Sequence, residues 1–343
     1  MPKHRIAIVG CGGRSRPHIQ AYDEMEEAEG VACCAPTATR RDVLASEFGL
    51  RAYGDARTMI ETERPDMVHL ITWPDTRVEL MTLVSELHVP LCTVEKPIAT
   101  GVTDWRTLCE LEEKTETRFA VCHQFRWQPH LVKCREALES GGLGAVKFLD
   151  ISSGMNIAGQ GTHTLNYGRS LIGDPKVVRV FGSAAGWDAR DRGHPGPAAT
   201  EAYLTFANGL RGIWTSGWVS PRCGDPETVW QHVRIAAYAE EGRVNYEEFG
   251  DWEIISPRGA ERGTFGGMDE GRRNNLKAQA AFHRAMFDWL DRGDAPGTSL
   301  AASLHEWKVV LALYASALAR EPIDVETFMP EEGAFRELVE VLT

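Results

Sequence analysis

The sequence lacks an excess of positive charge and any long apolar run. Its 343 residues contain 37 Lys and Arg against 49 Asp and Glu, which gives a formal net charge of −12. Because nucleic acids and anionic membranes are bound mainly through clustered cations, this balance argues against both as partners. No segment approaches the ~20 uninterrupted apolar residues of a membrane-spanning helix. These absences favour a soluble globular protein with a small-molecule partner.

Metal-ligand spacing and a targeting segment are also missing. The eight cysteines follow no zinc-type pattern, and several lie in strand-like runs where cysteine behaves as a small buried hydrophobe. The apolar run near the N-terminus has only about five residues, fewer than the roughly 7–15 of a signal peptide. We therefore expect a cytoplasmic protein in a reducing compartment, without a metal centre.

The first third of the chain alternates strand-like runs with helical patterns. Strands of a parallel sheet covered by helices on both faces show this alternation, so it predicts an α/β, doubly wound fold. The predicted strands are Arg5–Val9, Gly30–Cys34, Met67–Thr72, Leu91–Val94 and Arg118–Cys122.

Beyond about residue 125 the pattern changes to successive strands. Asn208-Gly209 and Glu241-Gly242 lie between strand-like runs, and such dipeptides favour hairpins. This predicts an α+β region with a large, mostly antiparallel open sheet, followed by two closing helices.

A glycine-rich turn follows the first predicted strand. The run Gly10-Cys11-Gly12-Gly13-Arg14-Ser15 stands between Val9 and a helical pattern, which is the strand–turn–helix context of a dinucleotide-binding loop. Gly10 permits the tight turn, and Gly12 lets the backbone approach a pyrophosphate at the helix N-terminus. Ser15 stands where the third glycine is usual. The turn therefore predicts an NAD(P)-binding domain.

The end of the second predicted strand bears on the choice between NAD and NADP. An acidic residue there would bind the ribose 2′-OH of NAD, but none occurs before Asp42. Thr37, Arg40 and Arg41 offer hydroxyl and guanidinium donors for a 2′-phosphate. Two solvated arginines at a helix start are the alternative interpretation. We expect NADP, with NAD as the alternative.

A short motif closes the fourth predicted strand, Val94-Glu95-Lys96-Pro97. With the glycine loop, this motif resembles the glucose-fructose oxidoreductase / inositol dehydrogenase / MocA family. The resemblance extends to further features in matching order: His18, Thr72 and Pro74, the stretch Gln124-Phe125-Arg126-Trp127-x-Pro129, and a distal His163. It implies a Rossmann domain over residues 1–124 and a substrate-binding and oligomerisation domain over residues 125–343. Where the closing helices pack is left open.

The resemblance also implies an activity and a set of site residues. The activity is hydride transfer between nicotinamide and a carbinol or carbonyl carbon of a sugar, cyclitol or related polyol. Lys96 matches the family's catalytic lysine, and a lysine beside a cationic nicotinamide ring has a physical reason to give up its proton. His163 is the second candidate catalytic residue. The candidate cofactor-binding residues are Gly10, Gly12, Gly13, Arg14, Ser15, Thr37, Arg40, Arg41, Thr72, Pro74, Glu95, Lys96 and Gln124. The candidate substrate-contacting residues are His123, Arg126, Trp127, Asn156, Gln160 and Asn166.

The sequence departs from the family pattern near His163. Gly159 and Asn166 stand where the family usually has aspartates, which removes two charges expected near the substrate. Arg77 stands where many members have a histidine, and it is interpreted either as a contact for a substrate anion or as an exposed helix start.

These departures leave two alternatives open: an NAD-dependent glycoside-cleaving enzyme, and a cofactor-binding protein without turnover. In either case we expect a homodimer or homotetramer formed through the C-terminal sheet.

Overall fold

The computed structural model describes residues 3–188, 194–221 and 229–343, and the chain divides into two compact units. Unit 1 comprises residues 1–99, 106–127 and 275–303, and unit 2 comprises residues 100–105, 128–274 and 304–343. Residue 223, one of the eight cysteines, lies outside the described residues. The division into a Rossmann domain over residues 1–124 and a substrate-binding domain over residues 125–343 stays a prediction.

The N-terminal part of the chain alternates strands and helices throughout. Its elements are β1 (His4–Val9), α1 (Ser15–Asp23), β2 (Ala28–Cys34), α2 (Ala38–Phe48), β3 (Arg51–Tyr53), α3 (Ala56–Glu63), β4 (Met67–Leu70), α4 (Arg77–Glu86), β5 (Leu91–Val94), α5 (Val102–Lys114) and β6 (Arg118–Val121). The strands β4 and β5 are buried along their whole length, as expected for a sheet with both faces covered.

The strands of unit 1 form one six-stranded parallel sheet in the order β3-β2-β1-β4-β5-β6. The strand order reverses between β1 and β4, and the carboxyl ends of strands at such a switch point form a crevice that binds ligands. The predicted doubly wound sheet is confirmed. The strand β3 was not predicted, because it has only three residues and begins with an exposed arginine.

The rest of the chain begins with a helix and continues mainly as strands. Its elements are α6 (Pro129–Glu139), β7 (Val146–Ser153), α7 (Thr162–Ser170), β8 (Val177–Asp188), β9 (Gly196–Phe206), β10 (Arg211–Gly217), β11 (Val233–Ala239), β12 (Arg243–Glu247), β13 (Asp251–Ser256), β14 (Gly259–Thr264), α8 (Met268–Arg292), α9 (Leu300–Ala319), β15 (Ile323–Asp324) and α10 (Glu332–Leu342).

The nine strands of unit 2 form one sheet in the order β14-β13-β12-β11-β7-β10-β9-β8-β15. Among the strand pairs of the described residues only β7 and β10 run parallel, which confirms the predicted mostly antiparallel sheet. Alternate residues separate its faces: Leu149 and Ile151 are fully buried, whereas the register pairs Phe148 with Tyr238 on the opposite face.

The core of unit 1 includes side chains from a distant part of the sequence. Phe282, Met286 and Phe287 of α8 join the buried apolar cluster that contains Ile6 and Ile8 of β1. Helix α8 thereby contributes to the same core as the parallel sheet. Within the described residues, no helix is long and apolar enough to cross a membrane.

Candidate functional site

The turn after β1 is held in a conformation that requires glycine. Gly10 has φ +107°, and a Cβ atom at this position would lie 2.1 Å from the carbonyl oxygen of Ile71. The hydroxyl of Ser15 donates to the carbonyl of Gly10 at 2.7 Å, so the residue in the usual third-glycine position stabilises the turn. A Cβ atom added at Gly12 or Gly13 would meet nothing within 4 Å. The backbone at the start of α1 is therefore open to a ligand.

A groove runs from this loop to the start of α2. It is lined by Cys11, Gly12, Gly13, Arg16, Thr39, Arg40 and Val43. Thr37 is the N-cap of α2, and its side chain makes no capping hydrogen bond. Thr37 and Arg40 are exposed. The groove thus brings the glycine loop together with a hydroxyl, a guanidinium group and a helix N-terminus.

The two neighbouring arginines of this segment differ in their surroundings. Arg41 Nε donates to Asp42 Oδ1 at 2.8 Å, and this bond raises the pKa of Arg41. In the part of the chain that the structure describes, Arg40 has no ion pair. The positive charge of Arg40 is therefore the one available to a bound anion, whereas that of Arg41 is balanced within the protein.

A buried carboxylate closes β5 on the other side of the switch point. Glu95 Oε1 is 2.7 Å from His18 Nε2 and 3.2 Å from Arg14 Nε, so two residues of the loop and helix after β1 hold it. Burial alone would raise the pKa of Glu95, but the charges of Arg14, His18 and Lys96 hold it well below its ordinary value. Glu95 is thus an anion fixed directly before the half-buried Lys96.

The turn that follows Lys96 is fixed by a buried arginine. Arg77 is 1% exposed, and its guanidinium group donates to the carbonyl oxygens of Pro97 and, at 3.1 Å, of Thr72. Burial lowers the pKa of Arg77 to about 10. The Lys96–Pro97 peptide bond is cis. The interpretation of Arg77 as an exposed helix start is wrong, because both of its bonds point into the protein.

Thr72 and Pro74 lie directly after β4. Thr72 Oγ1 accepts a hydrogen bond from the Thr76 hydroxyl at 3.0 Å, and Pro74 is buried at the start of a 3₁₀ turn. The Thr72 side chain also lies 3.3 Å from the position that a Cβ atom of Gly10 would occupy. Thr72 therefore borders the glycine loop across the switch point.

The segment after β6 contributes four predicted residues with different environments. His123, Gln124 and Arg126 are buried, and Gln124 Oε1 accepts from the Cys122 thiol at 3.6 Å. Trp127 packs edge-on against Phe282 at 5.4 Å and belongs to the margin of the apolar core.

His163 lies in unit 2, at the second position of α7. Its Nδ1 is 3.1 Å from the hydroxyl of Tyr167, and the two rings stack at 5.5 Å. Tyr167 is four residues later on the same helix, where side chains share a face. Sequence reasoning missed Tyr167 because α7 was not predicted as a helix.

Asn156 and Gln160 precede His163 and belong to a π-helical turn and its cap. Asn156 Oδ1 accepts from the backbone of Gly159 at 2.6 Å, and its amide nitrogen donates to the carbonyl of His194 at 3.0 Å. Gln160 Nε2 donates to the carbonyl of Trp230 at 2.7 Å, whereas its buried Oε1 has no partner among the described residues. Gln160 thus retains an acceptor for a ligand.

The side chain of Asn166 is directed toward Glu306 of α9. Its amide donates to Glu306 Oε1 at 2.9 Å, and Arg169 donates to the same oxygen at 2.5 Å. All three side chains are buried, and burial raises the pKa of Glu306 to about 7. The Asn166 amide therefore serves a buried polar network.

Comparisons with known proteins bear on both units. Residues 4–123 match the family model GFO_IDH_MocA, an oxidoreductase family with an NAD-binding Rossmann fold. The D-apiose dehydrogenase of Paraburkholderia graminis is 30% identical over 53% of this chain and 54% of that relative. The D-apiose dehydrogenase of Rhizobium rhizogenes is 22% identical over 95% of this chain and 98% of that relative.

A solved structure resembles nearly the whole chain. An oxidoreductase from Agrobacterium radiobacter, in complex with NAD⁺, L-tartaric acid and magnesium, has a TM-score of 0.80 at 20% identity. The match covers 95% of this chain and 100% of that one, and it shows a common fold. The matched segment spans about half the length of the Paraburkholderia relative.

Proposed function

Residues 4–123 match this oxidoreductase family, and on that premise we propose that the chain is an NADP-preferring dehydrogenase of the same family. It transfers a hydride between nicotinamide and the carbinol or carbonyl carbon of a sugar, cyclitol or related polyol. The proposal depends mainly on the edge of the parallel sheet of unit 1 where the strand order reverses between β1 and β4. There an open glycine loop lies beside a buried Glu95 carboxylate that directly precedes Lys96.

The residues of unit 1 fit a dinucleotide. Side-chain atoms at Gly12 and Gly13 would fill the space beside the backbone at the start of α1, and their absence leaves that space to a pyrophosphate. We assign Gly10, Ser15 and Thr72 to shaping this loop, and Arg14 and Glu95 to bracing it. Pro74 and Gln124 complete the proposed cofactor-binding set.

The preference for NADP rests on the groove beside α2. A 2′-phosphate requires positive charge and donors. Thr39 and Arg40, which line the groove, supply both, and Thr37 at the N-cap of α2 adds an uncapped hydroxyl. In the described residues no carboxylate competes for Arg40. Arg41 contributes less in this proposal, since Asp42 already balances its charge.

Lys96 is the proposed proton-transfer residue. Bound nicotinamide dinucleotide supplies the two-electron acceptor for the hydride of a carbinol carbon. In the oxidation direction the Lys96 amine takes the proton of the substrate hydroxyl, so that the O–H bond breaks as the C=O bond forms. Arg14 and His18 hold the Glu95 carboxylate, which directly precedes Lys96 in the chain.

The predicted substrate residues that lie in unit 2 have distinct surroundings there. The Tyr167 hydroxyl orients the His163 ring, and Gln160 Oε1 offers a free acceptor. We assign His163 to acid–base chemistry at the substrate and Gln160 to a substrate hydroxyl. Asn156 acts by capping the π-helical turn that carries Gly159, and Asn166 is left out of the proposed set because Glu306 engages it. His123 and Arg126 of unit 1 stay candidates, whereas Trp127 acts in packing.

A homo-oligomer formed through the sheet of unit 2 is part of the proposal. Phe181 and Tyr203 are paired neighbours on one sheet face and are 43% and 64% exposed. Tyr238 lies on β11 opposite Phe148 and is also exposed. Exposed aromatic side chains on one face of a sheet are typical of subunit interfaces. Light scattering of the purified protein measures the subunit number directly.

The function is tested by nicotinamide absorbance with NADP and NAD against sugars and polyols, D-apiose and inositols included. We expect turnover with NADP and a loss of about 10²–10⁴-fold in kcat for Lys96→Met, with cofactor affinity retained. Lys114→Met, at an exposed lysine of α5, is the matched control and keeps full activity. Intact cofactor binding without any absorbance change would refute the dehydrogenase. Glycoside cleavage under those conditions would support the glycoside-cleaving alternative.

A further inference from the structure

Three buried histidines lie close together inside unit 1, and none of them contacts the substrate in the proposed chemistry. His18 of α1, His69 of β4 and His283 of α8 are each 0% exposed. The ring centroids of His18 and His69 are 4.3 Å apart, those of His69 and His283 are 5.3 Å apart, and those of His18 and His283 are 6.3 Å apart. The three side chains therefore form one buried cluster, here called the histidine cluster.

Each ring is fixed by a hydrogen bond at one of its two nitrogens. His18 Nε2 is 2.7 Å from Glu95 Oε1, and His69 Nδ1 is 3.0 Å from the Tyr22 hydroxyl. His283 Nε2 is 3.1 Å from the terminal amide of Gln279. A carboxylate is a usual partner for the ring nitrogen of a metal-binding histidine that does not bind the metal. Phenol and amide oxygens can accept a hydrogen bond from that nitrogen in the same way.

In the part of the chain that the structure describes, the second nitrogen of each ring has no hydrogen-bond partner. Among the described residues, His18 Nδ1, His69 Nε2 and His283 Nδ1 are buried without a hydrogen bond. One ligand nitrogen from each ring lies within 4.8 Å of those of the other two. An unsatisfied buried polar group destabilises a folded protein, and three of them in one side-chain cluster are uncommon.

We propose that the histidine cluster binds one transition-metal ion, Zn²⁺ in the first instance, through these three nitrogens. Imidazole nitrogen is a preferred zinc ligand, with Zn–N distances of about 2.0–2.1 Å, and a water completes a tetrahedral site. Ligands at that distance are roughly 3.4 Å apart, so modest rotation of the side chains closes the site. Gln279 then presents its Oε1 to the protonated His283 Nε2, an orientation reached by rotating the terminal amide.

The proposed site joins elements that are distant in sequence. It ties α1, which begins at the glycine loop, to β4 and to α8. Through His18 it also forms a carboxylate–histidine–metal arrangement with Glu95, the residue before Lys96. The ion would thus stabilise the fold and hold the loop side of the cofactor site.

The test measures metal content in the full-length protein, so it does not depend on any substrate. The protein is stripped with a chelator, dialysed against zinc chloride and analysed by mass spectrometry. We expect about one zinc per chain in the wild type and less than one tenth of that in His283→Phe. His130→Phe is the matched control, since His130 is half-buried in unit 2 and stacks on Trp252, and it keeps the full zinc content. X-ray absorption of the zinc form is expected to show three histidine ligands.

A second variant guards against misfolding of His283→Phe. Gln279→Leu keeps all three ligands and removes one orienting partner, so zinc affinity is expected to fall about 10–100-fold. A folded wild-type protein that binds less than one tenth of a zinc per chain would refute the proposal and indicate a buried water in the cluster. Zinc that persists in His283→Phe, or a spectrum without histidine ligands, would also refute it.

Discussion

Replacing Arg40 by alanine tests the cofactor preference at a single side chain. Arg40 is exposed on the groove that starts at the glycine loop, and no carboxylate in the described residues pairs with it. A charge-assisted hydrogen bond contributes about 1.5–3 kcal/mol, and each 1.4 kcal/mol is a factor of ten in affinity. Arg40→Ala is therefore expected to weaken NADPH binding about 10- to 150-fold. NADH binding should change by less than about twofold, since NADH has no 2′-phosphate.

The matched control for Arg40→Ala is its neighbour. Arg41→Ala removes a guanidinium group that Asp42 already holds at 2.8 Å, so the loss of NADPH affinity should be several-fold smaller. Calorimetric titrations of both variants with NADPH and with NADH, at fixed ionic strength, measure all four affinities. Equal losses for NADPH and NADH in Arg40→Ala would show that Arg40 packs against the adenine. A larger effect at Arg41 than at Arg40 would refute the assignment.

Three further substitutions follow from buried geometry. Gly10→Ala places a Cβ atom 2.1 Å from a backbone oxygen, so unfolding free energy should fall by at least about 2 kcal/mol in urea titrations, whereas Gly13→Ala stays near wild type. Arg77→Met leaves two carbonyl oxygens without their donor, at a cost of about 2–6 kcal/mol, and should lower kcat more than it alters KM. Because burial raises the pKa of Glu306 to about 7, ionising it costs stability as pH rises from about 4.5 to 7. Glu306→Gln should therefore match wild type within about 1 kcal/mol at pH 5 and exceed it by up to about 3 kcal/mol at pH 8, and a less stable variant at pH 8 would contradict this sign.

The parts of the fold that follow from local patterns could be predicted from the sequence. The glycine turn between Val9 and α1 and the alternation of strands and helices predict the parallel sheet, since both depend on neighbouring residues. The strand β3 could not be predicted in this way because Arg51–Tyr53 is short and largely exposed. It is a strand because it pairs with β2 in the sheet. The resemblance based on Glu95-Lys96-Pro97 is confirmed by the family match.

The partners that fix the candidate site could not be predicted in the same way. Glu95 is held by Arg14 and His18, which precede it by 81 and 77 residues, and only the folded sheet brings them together. Arg77 has the sequence position of a helix start, and its burial depends on the carbonyl of Pro97, twenty residues later. Tyr167 is different, because a correctly predicted helix α7 would have placed it on the same face as His163.

The departures at positions 159 and 166 carry different weight for the proposed chemistry. An aspartate at 166 would place a carboxylate about 2.9 Å from Glu306, where the amide of Asn166 now donates, and two buried like charges at that distance repel strongly. Asn166 thus suits the buried Glu306 as a hydrogen-bond donor, which an ionised aspartate could not be. Position 159 is different. The backbone N–H of Gly159 donates to the Asn156 side chain, and glycine has no side chain that could replace the carboxylate of an aspartate. Under the proposed function, Gly159 therefore lacks the substrate charge contact that the family pattern implies, and we expect preferred substrates to bind through their hydroxyl groups.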